Sequence, residues 1–329
     1  MKNLFWLLPL IVFLLIRGFL SLESFYKAKK VNTFAPSSSP LPLMQLVVRK
    51  SGERGFAHYK NFLRSFHTFS FANYFDLQYM GFGPLRVINE DRVEPASGFP
   101  PHHHQRYEIW SYLVNGKLTH QDTMGNTETM SRGDIQYTSA GTGIAHSEYN
   151  NEPKGSCDAH FLQVWAKPDD KYRSPIYYTR HQSEEAKHNR LQPVIVPNYT
   201  FTDPTNVKSN GVQVGSSATT DDSAIPFPGD LGMWASILSP GSQVTHVFGP
   251  WNTTASPVRK GYLHFIQTSG FAGPRDISVG KAQLKIGDNV LQEGDGLFVM
   301  DTEKGSSLTI ESVGSADAEF VFFDMTADD

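Results

Sequence analysis

The chain has 329 residues, 39% of them apolar and 19% charged, with a formal net charge of -4. That length exceeds what one core usually fills, so two domains are expected, and the composition excludes a disordered chain. The acidic balance lacks the basic footprint of a nucleic-acid binder; the single cysteine, Cys157, excludes an internal disulfide and a cysteine-built zinc site.

The chain opens on LFWLLPLIVFLLI, Leu4 to Ile16, with no charge; Arg17 interrupts, and GFLSL carries the run to Leu22. The span suits a bilayer if Arg17 snorkels. RGFLSLES offers no A-x-A-like cleavage site, so residues 4–22 read as a membrane anchor. The alternative is a cleaved leader and a secreted or organellar product. The side of the membrane stays open. Lys27, Lys29 and Lys30 favour a cytosolic C-terminal side, whereas the sequons at Asn198 and Asn252 suit a lumenal one. NTFAPSSSPLPL, Asn32 to Leu43, is a Pro/Ser linker, so the anchor and linker occupy residues 1–43 and the globular part begins at Met44.

From Met44 the pattern is β. MQLVVRK, FHTFSFANYF, LRVINEDRVE, YEIWSYLVNG, KLTHQDTM, GDIQYTSAG and AHFLQVWAKP are short, rich in β-branched and aromatic residues, and parted by turn formers. Asn115-Gly116 predicts a type I′ hairpin, and Asp122 to Asn126 predicts another turn. His181 to Pro193 is polar and helix-like, and a second β-rich region runs from Leu231 to Met325. The expected fold is all-β, with two closed barrels or jelly rolls at residues 44–180 and 181–329.

PPHHHQRYEIW, from Pro100, carries the first chemical signal. On a strand, His102 and His104 share one face and His103 takes the other. His146 and Glu148 in GTGIAHSEYN repeat the two-residue spacing. Three imidazoles and a carboxylate facing one interior suit iron(II), manganese, nickel, copper or zinc, with positions left for water or substrate. Iron leads among them. Against this, His-x-His also arises by chance; the second pair is what raises it above coincidence. His120 and His160 could at most line the same cavity, and Cys157 reads as a small apolar residue.

The residues from Gly98 through His102, His104 and Glu108 to Gly116 resemble the first cupin motif, and Gly133-Asp134 through Gly143 to His146 resembles the second. More narrowly, HTFSFANYFD, MGFGPLRVINEDRVEPASGFP and RGDIQYTSAGTGIAHSEYN resemble the pirin family, closest to its quercetinase-like branch. The resemblance spans Gln45 to Lys167. It implies two cupin barrels with metal only in the first, held by His102, His104, His146 and Glu148. Glu108 would then orient a ligand or water from just outside. Relatives commonly carry His-Pro-His-Arg where this chain has His102-His103-His104-Gln105, a departure that alters the rim and spares the ligands.

The resemblance further implies a monomeric oxygenase that acts on a small aromatic substrate, a flavonol or similar enol, with O2. The metal would lower the hydroxyl's pKa, and Glu148 would be the catalytic base. Phe82, Phe99 and Trp110 are candidate walls. A second reading is a metal-dependent binding or regulatory protein without turnover, and a third is a cupin that has lost its metal. An open, apolar-walled site would favour catalysis.

Overall fold

The computed structural model describes residues 44–60, 62–197, 222–250, 256–270 and 280–327. The expected anchor, the linker and both sequon asparagines lie outside these residues. No helix among the described residues is long and apolar enough to cross a membrane.

The strands of the first half are β1 (Leu46–Arg49), β2 (Gly55–Tyr59), β3 (Leu63–His67), β4 (Leu85–Val93), β5 (Ser97–His104) and β6 (Glu108–Asn115). They continue with β7 (Leu118–Asp122), β8 (Thr127–Met130), β9 (Asp134–Ser139), β10 (Ile144–Asn150), β11 (Ala159–Ala166) and β12 (Ile176–His181). The helix α1 (Glu184–Lys187) follows, capped by the Ser183 hydroxyl accepting from the Ala186 amide at 3.1 Å. The second half contains β13 (Gln192–Pro197), β14 (Ile225–Phe227), β15 (Leu231–Leu238), β16 (Gln243–Val247) and β17 (Val258–Phe265). Its last strands are β18 (Gln283–Ile286), β19 (Asn289–Gln292), β20 (Gly296–Glu303), β21 (Ser307–Ser312) and β22 (Ala318–Thr326).

The described strands form two barrels on one plan. A seven-stranded sheet, β12-β9-β6-β11-β4-β3-β2, closes against a four-stranded sheet, β5-β10-β7-β8. The second barrel repeats this with β1-β20-β17-β22-β15-β13-β14 and β16-β21-β18-β19. The first strand in sequence crosses over: Leu46 to Arg49 pair with Val299 to Gly296 of the second barrel.

Strand alternation sorts side chains between two cores. On β6, Trp110, Tyr112 and Val114 face outward, onto Met233, Ala235, Val321 and Phe323 of the second barrel. The alternate residues, Ile109 and Leu113, face into the first barrel. In the same way β22 turns Phe320 and Phe322 into the second barrel. Both seven-stranded sheets are therefore covered on two faces, which explains central strands with hardly an exposed position, such as β4, β6, β9, β11, β15 and β22.

Three expectations need correcting. The Asn115-Gly116 hairpin does not form: β6 and β7 lie in different sheets, and of the two residues only Gly116 takes a positive φ, 72°. That glycine is required by packing, since a Cβ there would lie 2.2 Å from the Asp158 carbonyl oxygen. The strand expected at FHTFSFANYF stops at His67, and the chain then turns at the Phe71–Tyr74 bridge, where Ala72 is left-handed (φ 49°). The polar stretch after His181 yields only the four-residue α1, before Gln192 joins β13.

Candidate metal centre

The site is built on the inner face of the four-stranded sheet. β10 pairs with β5 so that His146 stands opposite His102. The register then slips, with Glu148 opposite Phe99, and the bulge falls at Pro100-Pro101. Prolines cannot donate to a ladder, so an edge strand with a bulge is where they fit. The bulge also leaves the Pro100 carbonyl free to accept a 2.8 Å hydrogen bond from His102 Nδ1. A carbonyl can only accept, so His102 Nδ1 is the donor here, and its Nε2 is the atom turned toward His146.

One ligand atom from each of His102, His104 and His146 lies within 4.8 Å of the others. The Nε2 atoms of His102 and His146 are 3.1 Å apart. Two nitrogens, each about 2.1 Å from one ion and at right angles, would stand about 3 Å apart. His104 Nε2 is buried with no hydrogen-bond partner among the described residues. Such a nitrogen is costly unless something occupies it. Burial first, and the neighbouring imidazoles second, push His104 and His146 down to about 3. Both rings are therefore neutral at physiological pH, the state a metal requires. The donor set fits a divalent transition metal.

Glu148 is buried beside this cluster without belonging to its tightest part. Its Oε1 accepts from the Ser111 hydroxyl at 3.3 Å, and its Oε2 is 4.0 Å from His146 Nε2. Ser111 reaches it from β6 across the barrel. Gly98 must be a glycine here: a Cβ would meet the Glu148 carbonyl oxygen at 2.3 Å. His103 is exposed and lies on the rim, as alternation requires.

Several expected neighbours lie elsewhere. Glu108 is on the opposite face of β6 from Ser111, where it accepts from Tyr137 at 2.5 Å and Ser139 at 2.8 Å. Burial there pushes it up to about 7, and it orients none of the imidazoles. Trp110 and Phe82 belong to the core between the barrels; Phe82 stacks edge-on to Phe298 at 5.0 Å. Phe99 does reach the site, 6.3 Å from His102 between ring centres. His160 faces away and hydrogen-bonds Glu90 at 3.0 Å. His120 lies within: it stands opposite Glu148 on β7, 5.0 Å from the His146 ring, tied to Asp122 at 3.2 Å.

The walls come from residues that sequence reasoning passed over. Trp165 meets His104 edge-on at 4.9 Å, with Tyr107 at 5.7 Å and Phe71 at 5.6 Å from Trp165. Asp91 on β4 is buried, and its carboxyl is pushed up to about 7 by burial and then by the charges of Glu148 and Glu90. The alternation in LRVINEDRVE could have flagged it, since Asp91 shares a face with Val93 inside the barrel. An open depression of about 470 Å³ leads to the centre, lined by His103, His104, Gln105, Thr123, Thr142 and Ile144 among others.

Paired β-barrels with one imidazole cluster, confined to the first barrel among the described residues, define a bicupin metalloprotein. A family description, Pirin, matches residues 47–166. The chain is 47% identical over 135 residues to a quercetin 2,3-dioxygenase of Escherichia coli K12, spanning 57% of that protein's length and 41% of its own. A Pasteurella multocida protein, provisionally named a quercetin 2,3-dioxygenase, is 31% identical over 281 residues, which cover 85% of this chain and 99% of the relative. The crystal structure of the E. coli pirin YhhW with nickel(II) superposes with a TM-score of 0.63 at 28% identity, over 86% of this chain and 99% of that one. The chain belongs to the pirin family, in its quercetinase-like branch.

Proposed function

We propose that this protein is a metal-dependent dioxygenase of the quercetinase type. One divalent metal would be held by His102, His104, His146 and Glu148, with iron(II) first and nickel, copper, manganese or zinc as alternatives. The observation that carries the reading is the convergence of three imidazoles within 4.8 Å, with His104 Nε2 buried and without a partner among the described residues, beside an aromatic wall. The relatives' names support the same class, and quercetin is the substrate that the E. coli relative's name gives.

The metal, when bound, supplies Lewis acidity that makes an enolic or phenolic hydroxyl easier to ionise. The chain does the rest. Ser111 holds Oε1 of Glu148, which leaves Oε2 as the free end on the imidazole side, able to take the hydroxyl proton. Trp165, Tyr107 and Phe99 offer flat apolar surface to an aromatic ring. The depression of about 470 Å³ beside His104 is the opening to solvent on this side of the barrel.

The test combines elemental analysis with oxygen uptake on quercetin. One metal per chain, with oxygen consumed in step with flavonol loss and abolished in Glu148→Ala, is the expected result. A metal-loaded protein that turns over no flavonol would move the function to metal-dependent binding.

A further inference from the structure

We propose that the loop from Phe71 to Met80 is a membrane-docking surface. Phe75, Leu77 and Met80 seat in the interfacial layer of a lipid bilayer and hold the first barrel against it. This holds whether or not the metal centre is a dioxygenase.

Exposure is the first observation. Phe75 is 69% exposed, Leu77 79% and Met80 40%. The other exposed large apolar side chains among the described residues come one to a segment, as on any protein surface. Three within one short loop form a patch, and exposed apolar patches mark contact surfaces.

The loop's own bonds keep these side chains outside. Asp76, between Phe75 and Leu77, is turned toward Ser70, whose hydroxyl accepts from the Asp76 amide at 2.8 Å and donates to its carbonyl at 2.9 Å. The Asp76 carboxylate accepts from the Gln78 amide at 2.9 Å, and the Ser70 amide donates to the Tyr79 carbonyl at 2.7 Å. With Asp76 fixed inward, its two apolar neighbours are presented to the outside.

The way the chain enters the fold points to the occupant. β1 lies against this loop: Arg49 donates to the Tyr74 hydroxyl at 2.8 Å and its guanidinium stands 3.4 Å over the Tyr79 ring. Val47 on the same strand is itself 39% exposed and stands opposite Phe298, on which Tyr79 packs at 6.1 Å. Upstream of β1 the sequence carries the apolar run of residues 4–22, joined to Met44 by residues 23–43. That linker can span at most about 70 Å. A bilayer that takes residues 4–22 is therefore within reach, and the exposed loop lies beside the strand that the linker feeds. Apolar side chains presented to a bilayer in this way bury in the boundary between headgroups and acyl chains.

The experiment uses full-length protein reconstituted into phosphatidylcholine vesicles, with and without brominated acyl chains, which quench tryptophans that enter the bilayer. Phe75→Trp adds a reporter on the loop. Val247→Trp adds one at an exposed position on β16 of the second barrel. Wild type, with its five tryptophans, sets the baseline. The emission added by Phe75→Trp should fall by about half on bromination, as expected of an interfacial side chain. The emission added by Val247→Trp should not change. If Phe75→Trp does not fold, Leu77→Trp carries the same reporter on the same loop. No quenching on the loop, or equal quenching at both positions, would overturn the inference; so would protein that does not float with the vesicles. Shielded loop emission without bromine quenching, and with a doubled mass in light scattering, would assign the patch to a second copy of this chain and overturn it as well.

Discussion

The two barrels share strand order and differ in what fills the four-stranded side. In the first, the β5–β10 ladder sets His102 against His146. In the second, the corresponding β16–β21 ladder sets Val244 against Ile310 and His246 against Leu308. The second interior is hydrocarbon at Leu284, Ile286, Leu291, Leu308 and Ile310. Its one inward histidine on that ladder, His246, is tied to Asp324 at 2.9 Å and packed by Trp234, Phe248 and Phe322. A histidine whose nitrogen is paired within the fold is part of the framework. One whose bare nitrogen faces two others is built for something that arrives later.

The strongest way to break this comparison is to exchange the roles. His104→Ala or His146→Ala should lower bound metal at least tenfold by elemental analysis, because each removes one of few donors. His246→Ala should leave metal content unchanged and lower the melting temperature, through the cavity and the loss of one of the partners of Asp324. Equal metal loss in all three variants would abolish the distinction between the barrels.

A slightly smaller effect tests how the barrels are joined. Glu90 is buried and accepts from Arg54 at 3.0 Å, His160 at 3.0 Å, His264 at 3.1 Å and the Gln267 amide at 2.8 Å. The last two belong to the second half of the chain. Burial alone would raise this carboxyl, but the His160, His264 and Arg54 donors outweigh it and hold it well below the usual range. Glu90→Ala leaves those groups buried without their acceptor and should cost about 3–5 kcal/mol in urea unfolding. A loss under about 1 kcal/mol would mean that the apolar core alone joins the barrels.

These contrasts mark what could be read in advance. The shared face was legible because strand period two places His102 with His104, and His146 with Glu148, whatever the rest of the barrel does. The walls were not. Trp110 and Trp165 both sit in apolar strand runs, and only the sheet's two-sided burial decides that one faces the other barrel and the other faces His104. Glu108 misled for the same reason: an odd offset of three residues on β6 puts it on the opposite face from Ser111, and so away from the site. The Asn115-Gly116 signal failed because turn chemistry is local, whereas the move of β7 into another sheet is not. Asp91 and His120 carried a readable clue, polar side chains at inward positions.

The next test concerns pH. His104 and His146 titrate near 3 in the folded protein, against an ordinary value of 6.5. Between those values the unfolded chain binds more protons, so stability of the metal-free protein should be complete above about 6.5 and fall as pH drops toward 3. Urea midpoints at pH 7 and pH 5 should show the decline, and His104→Ala should flatten it. An identical pH slope in wild type and variant would place the acid sensitivity outside this cluster.

The smallest effect is expected at the middle of the histidine triplet, and it sharpens the argument most. His103 stands between two proposed ligands and differs from them only in the face it takes. It is exposed, so replacing it removes neither core packing nor a donor to the metal. His103→Ala should therefore bind as much metal as wild type and melt within about a degree of it, as surface substitutions usually do. It lines the open depression, so any change should fall on ligand affinity alone. Loss of metal equal to that of His102→Ala would mean that the edge strand rotates in solution. The face assignment, and with it the difference between the barrels, would then have to be redrawn.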